Sequence, residues 1–419
     1  MDQQLKKNTF SLTLLQFGQY FVPLIILPYL TRVLGLEGFG RFGFATALTM
    51  YLVLVVEWGF NLSSTRDVSI NRMDKQARSV VFWNTVIARI LLTFSTSFLL
   101  LVLVSTVPKL GSQAGLLWLG MLQVLAACLS SAFYYQGIER MGRMALINLG
   151  IRLLSIPLIL LFVRHEDQVA LAFGIQALCF LLASLMNLLL LLRQGEIVWL
   201  RPQWLGVKKV LSAGFPLFLS SAGTSLYTNT NVIILGFLTT ETTVGIFVAG
   251  FTIVKAVVGL SGPVAHAIFP RASLQFSARD GMPTAFLRRI LRIQVSFGLA
   301  LSLALLVFFP WGVTWLFGDA FQETVNVVAW LSLLPLVVCM ASGFGLNILV
   351  PLGHHRWYSK VLILSGLLNC LLLTIMGYVW GAVGAAIAVL ITECLIMCGM
   401  AIGVKKLAPE IWQAFAKHP

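Results

Sequence analysis

Charge is what this sequence has least of. Only 11% of its 419 residues are Asp, Glu, Lys or Arg and 58% are hydrophobic, where a soluble globular protein carries about 25% charged residues. That balance excludes a soluble protein and defines an integral membrane protein. Also missing are a nucleotide-binding glycine loop, a paired-carboxylate or His-rich cluster, and any polar stretch long enough to hold a catalytic domain. A hydrolase or glycosyltransferase would need more polar surface, so no catalytic residue is expected. The six cysteines (Cys128, Cys179, Cys339, Cys370, Cys394 and Cys398) lie in apolar runs without metal-ligand spacing to histidine, so they read as packing residues. His354 and His355, beside Arg356, read as solvated loop residues, and no metal or organic cofactor is expected. No small-residue cleavage site follows a short apolar core near the N-terminus, which is therefore expected to be retained.

The net charge of +14 would suit nucleic acid, but its distribution argues otherwise. A crossing helix needs about 20 mainly apolar residues. Twelve such spans are expected: 10–34, 40–62, 79–107, 114–137, 144–164, 168–193, 210–238, 244–270, 290–318, 325–351, 358–380 and 381–404. The last two are separated only at Trp380 and Gly381, and their combined length favours a hairpin. With the N-terminus inside, 22 of the 29 Lys and Arg fall in inner segments and 4 in outer ones. The basic excess is thus a topology signal, with both termini in the cytoplasm.

The stretch 24–44, LIILPYLTRVLGLEGFGRFGF, is the most unusual in the chain. Pro23 and Pro28 break its span, Arg32 stands in the last turns, and Gly35, Gly38, Gly40 and Gly43 form a tight turn into span two. Such breaks persist in membranes where protein or a cavity satisfies the freed backbone groups. An echo of this stretch follows in the second half: LIILPYLT at 24–31 against VIILGFLT at 232–239, and GRFGFA at 40 against GIFVAG at 245. Six spans separate the copies, an even number, which gives both halves the same orientation. The expected fold is therefore an all-α integral membrane protein of twelve transmembrane helices in two six-helix lobes, 1–193 and 210–419. A pseudo-two-fold axis along the membrane normal relates them, and a polar, basic cytoplasmic linker, 194–209, joins them.

Ionisable residues inside spans are the candidates for function, because a charge at mid-bilayer costs about 2.5–3.5 kcal/mol and is kept for a cavity or a partner. Lys255 is central in span eight and Glu393 in span twelve; Arg89 and Arg152 lie in spans three and five, and Glu57 near the inner end of span two. Helical spacing puts Thr85, Arg89, Thr93 and Thr96 or Ser97 on one stripe, and Asn148, Arg152 and Ser155 on another. A third runs along span seven through Ser221, Thr224 or Ser225, Thr228 and Asn231. Polar faces on several spans fit a water-filled cavity lined by Thr85, Thr228 and Asn231, which Arg32, Arg89, Arg152 and Lys255 would make cationic and selective for an anion. The bland alternatives are snorkelling for Arg32 and Glu57, a closed ion pair of Glu393 with Lys255, and stripes that only join helices through hydrogen bonds.

Several segments resemble a known family. They are LPYLTRVLG with EGFGRFGFA (27–45), EWGFNLSSTRDVS (57–69), AGFPLFLS (213–220), VGIFVAGFTIVKA (244–256), FPRAS (269–273) and GAVGAAIAVLITE (381–393). In this order they resemble the polysaccharide-biosynthesis flippases of the Wzx type, within the superfamily of multidrug, oligosaccharidyl-lipid and polysaccharide exporters. The resemblance implies a bacterial inner-membrane protein that moves undecaprenyl-pyrophosphate-linked O-antigen repeat units to the periplasmic leaflet by alternating access. It also implies a polymerase and a chain-length regulator acting downstream, and places Arg32, Glu57, Lys255 and Glu393 within family motifs. In this reading the cations hold the pyrophosphate or acidic sugars, and Glu57 or Glu393 binds the coupling ion, H⁺ or Na⁺. The alternatives are an ion-coupled multidrug exporter of the same fold, which would need an acidic cavity, and a non-transporting scaffold of an assembly complex.

Overall fold

The computed structural model describes residues 2–262 and 284–416, with side chains outside 2–21, 227, 228, 284–286, 314 and 414–416. The motif at 269–273, together with Arg271, Arg279 and Lys417 of the topology count, therefore lies outside the described residues, and Thr228 outside the described side chains. Every regular element among the described residues is a helix, as the long apolar runs require.

Nine helices among the described residues are long and apolar enough to cross a membrane, against the twelve spans expected. Part of the difference is that two of them double back. His355–Leu407 is broken at Gly381, whose φ of 55° only glycine adopts easily. Across that break Thr392 Oγ1 donates to Asn369 Oδ1 at 3.0 Å. In a straight helix these residues would stand about 35 Å apart. The expected hairpin at 380–381 is therefore present. Asp2–Glu57 turns likewise at Gly35 (φ 65°, ψ −176°). Before the turn, Tyr29 donates to Val163 O at 2.6 Å, at the C-terminal end of span five. After it, Phe42 meets Phe173 of span six edge-on at 5.7 Å. Spans five and six run antiparallel, with Asn187 donating to Asn148 at 2.8 Å, so the two arms of the first helix do as well. The glycine-rich turn of the sequence is thus a one-residue joint, and Gly38, Gly40 and Gly43 are helical. Span seven is interrupted instead: Trp204–Thr228 and Thr230–Leu238 flank Asn229.

The chain packs as two compact units, Met1–Ala222 and Gly223–Pro419. The dividing point differs from the expected linker at 194–209, and the reason is visible in unit 1. Glu196 takes ion pairs from Arg78 (2.7 Å) and Arg140. The Val198 amide donates to Ser79 Oγ at 3.0 Å, and Trp83 donates to Val198 O at 3.0 Å. Farther on, Trp58 Nε1 donates to Leu211 O at 3.0 Å and its ring stacks on Phe218 at 4.4 Å. The polar stretch is strapped to spans two and three, and the first part of span seven with it.

Apolar side chains close each unit. Val68, Phe82, Phe133, Tyr134, Ile138 and Met141 form one cluster in unit 1, and Leu287, Ile348, Leu349, Ile396 and Met400 one in unit 2. Trp311, Trp315, Tyr378 and Trp380 stand exposed toward the ends of spans nine and eleven, the ring-at-the-interface placement of membrane proteins.

Candidate functional site

The intramembrane polar residues separate into closed and open sets. Arg89 is closed, with 0% of its surface exposed. One guanidinium nitrogen donates to Ser130 O and another to Asn61 Oδ1 at 3.3 Å, while Phe133 and Phe60 face the guanidinium carbon at 5.0 and 5.8 Å. Asn61 in turn donates to Glu57 Oε1 at 3.1 Å. Glu57, Asn61 and Arg89 thus form a chain from span two to span three, in which amide, carboxylate and carbonyl oxygens compensate the buried cation. Arg89 was expected on a cavity wall; it is enclosed by its own unit.

Thr85 and Asn231 are corrected in the same way. Thr85 is wholly buried, bonded to Ser64 Oγ at 3.0 Å and donating to Val81 O at 2.8 Å. Asn231 is wholly buried and accepts from Asn369 Nδ2 at 2.7 Å; Asn369 itself accepts from Thr392. These polar faces join spans two to three, and seven to eleven to twelve. A neighbouring helix satisfies such groups as well as water would, so periodicity identifies the face and not what it meets.

The open set is smaller. Arg32 is exposed near the C-terminal end of span one. Lys255 is exposed, one turn before the end of Glu241–Gly259. Its Nζ donates to Asn229 Oδ1 at 3.3 Å and lies 5.2 Å from the Phe251 ring centre. Asn229 is the residue at which span seven breaks, so an ammonium group faces the first turn of Thr230–Leu238. A helix start and a cation side by side favour an anion. Arg152 is half-buried, its guanidinium carbon 4.8 Å from the Phe180 ring centre. Glu393 is half-buried, and none of the ion pairs among the described residues joins it to Lys255.

Asn61, Asn229 and Asn369 were missed in the sequence. Asn61 follows Glu57 by one helical turn, and Asn229 sits in the polar run 228–231, which are the signals that could have found them.

Solved structures place the fold. An inward-facing multidrug resistance MATE family transporter of the MOP superfamily superposes with a TM-score of 0.71 at 14% identity, covering 98% of this chain and 100% of that one. An outward-facing transporter of that kind gives 0.62 at 16% identity, over 99% and 97%. The class of fold is thereby defined: a multi-pass helical membrane fold shared with these transporters. Two relatives, each named "Putative O-antigen transporter", match nearly end to end. The Escherichia coli K12 protein is 31% identical over 96% of this chain and 97% of its own length, and the Shigella dysenteriae protein 27% over 96% and 100%. The pattern of the family described as "Polysaccharide biosynthesis protein" matches residues 5–275. The chain belongs to this polysaccharide biosynthesis protein family.

Proposed function

We propose that the chain is a flippase for lipid-linked oligosaccharide, carrying undecaprenyl-pyrophosphate-linked O-antigen repeat units from the cytoplasmic to the periplasmic leaflet of the inner membrane by alternating access. The observation that carries this reading is Lys255, an exposed cation inside a membrane span, set against the break in span seven at Asn229. A charge so placed is costly unless an anion or water meets it, and the pyrophosphate of a lipid-linked sugar is such an anion. Arg32 adds charge on the outer side. Both termini lie in the cytoplasm in this reading. Glu393 takes the coupling proton or Na⁺, and a polymerase and a chain-length regulator consume the product. A multidrug exporter of organic cations, the rival use of this fold, would place carboxylates where Lys255 and Arg152 stand.

The test uses a strain deleted for the chain and complemented with wild type, Lys255→Arg or Lys255→Ala. Deletion and Lys255→Ala are expected to abolish surface O-antigen, with lipid-linked units accumulating on the cytoplasmic face and Lys255→Ala protein present at wild-type level. Lys255→Arg should restore part of the display. Full display with Lys255→Ala would remove Lys255 from the site; full display in the deletion strain would overturn the flippase reading itself.

A further inference from the structure

We propose that Asn347, together with Gln294, binds water at an internal site in unit 2, where span ten is wound as a π-turn. Asn347 has 0% of its surface exposed and Gln294 2%. Among the described residues neither Nδ2 nor Oδ1 of Asn347 meets a partner, and Gln294 Oε1 meets none either. A buried carboxamide with both ends unbonded is rare in folded proteins, because it loses its bonds to water and gains none in return. Asn231 and Asn369, equally buried in the same unit, bond each other.

The backbone marks the same place. Gly345–Leu349 is a π-helix, and the Val350 amide donates to Gly345 O at 3.0 Å, five residues back instead of four. Such turns collect at functional positions, and water entering the ladder is one cause of a bend. The pairing of spans nine and ten brings both amides to one seam. The Leu336 amide donates to Ser302 Oγ at 3.2 Å. A Cβ on Gly298 would stand 3.0 Å from the Cys339 side chain, and one on Gly343 only 2.5 Å from Gln294 Oε1. Numbers fall along span nine as they rise along span ten. Asn347, one turn beyond Gly343 on the same face, therefore comes next after Gln294. The apolar neighbours at this level, Leu287, Ile348 and Leu349, belong to one cluster.

The chemistry selects the ligand. Oxygens that accept and an amide NH₂ that donates need a partner capable of both. A metal ion would satisfy the oxygens and repel the NH₂ group, and no cluster of His, Cys, Asp and Glu able to hold one occurs among the described residues. Water donates and accepts, and an internal water typically makes about three hydrogen bonds to such groups. Asn347 is less than one turn from the end of its span at Leu349, so water crosses little apolar depth to reach it. Water exchanges partners more readily than a close-packed side chain does, which makes the π-turn a deformable joint in an apolar seam.

The experiment is hydroxyl-radical footprinting by X-ray pulse on the purified full-length protein in detergent, read residue by residue by mass spectrometry. Radicals formed from a bound water oxidise side chains that bulk solvent does not reach. Wild type is expected to be labelled at Leu287, Ile348 and Leu349, and not at Phe247 or Val254, which are as deeply buried in the same unit. Asn347→Leu, whose methyl groups replace both polar atoms, should lower that labelling by about fivefold, and Gln294→Met by a smaller factor. Backbone amides at 346–350 should exchange with deuterium about threefold faster in wild type than in Asn347→Leu. Wild-type labelling at Leu287, Ile348 and Leu349 no higher than at Phe247 would overturn the site, a comparison that needs no variant to fold. Equal labelling in wild type and Asn347→Leu would overturn the assignment to Asn347, and equal amide exchange would overturn the joint. None of these readouts depends on what the protein transports.

Discussion

Arg89 and Arg152 are the same side chain, in the same unit, each well inside a hydrophobic span, and their surroundings are opposite. Arg89 is enclosed by Phe60 and Phe133 and bonded to a carbonyl and an amide oxygen. Arg152 has one aromatic ring and an open pocket. The first is held by oxygen acceptors of its own unit, although its Nε keeps no partner among the described residues. The second has an aromatic face and no oxygen acceptor among the described residues. Intramembrane charge is therefore two signals with one appearance, and the number of oxygen acceptors around the group separates them.

The sharpest way to break this contrast is to remove both arginines and compare. Arg89→Ala should lower stability by about 3 kcal/mol or more, since it removes charge-assisted hydrogen bonds worth roughly 1.5–3 kcal/mol each and leaves a cavity. The readout is the thermal midpoint and abundance of detergent-solubilised protein. Next in size is Asn369→Ala, which disconnects Asn231 from Thr392 and should cost about 1–2 kcal/mol, the range for interhelical hydrogen bonds in model peptides. Thr85→Val removes one interhelical bond, to Ser64, together with the bond to Val81 O on its own helix, and should cost about 0.6 kcal/mol, read from the same melting curves. Smallest of all, Arg152→Ala and Lys255→Ala should lower stability by no more than about 0.5 kcal/mol, since each gives up only an exposed bond or an aromatic contact. If Arg89→Ala melted with wild type, or Arg152→Ala fell as far as Arg89→Ala, the division into closed and open cations would be lost.

Much of the fold was legible because membranes restrict it. Long apolar runs can only be helices, and the breaks at Gly35 and Gly381 announce themselves where a run is too long for one crossing. The site was less legible. Thr85, Arg89 and Asn231 have the spacing of a polar face, but spacing is a property of one helix and burial a property of several. Asn61 and Asn369, the residues that close those faces, carry no charge and drew no attention. The stretch 194–209 has the composition of a linker, yet Ser79 and Trp83, more than a hundred residues earlier, hold it down. Lys255 was the opposite case: a charge in an apolar run stands out in the sequence, and the structure adds its partner, Asn229.

The strapping of residues 196–218 along spans two and three bears on how the protein can be divided. A gene cut in the polar stretch would yield a first fragment that lacks the turns of span seven on which Trp58 rests. The second fragment would begin with a helix whose packing surface had been left behind. Co-expressed halves should therefore reassemble best when the first extends through Ala222, inside a helix, where no reading of composition would place a cut.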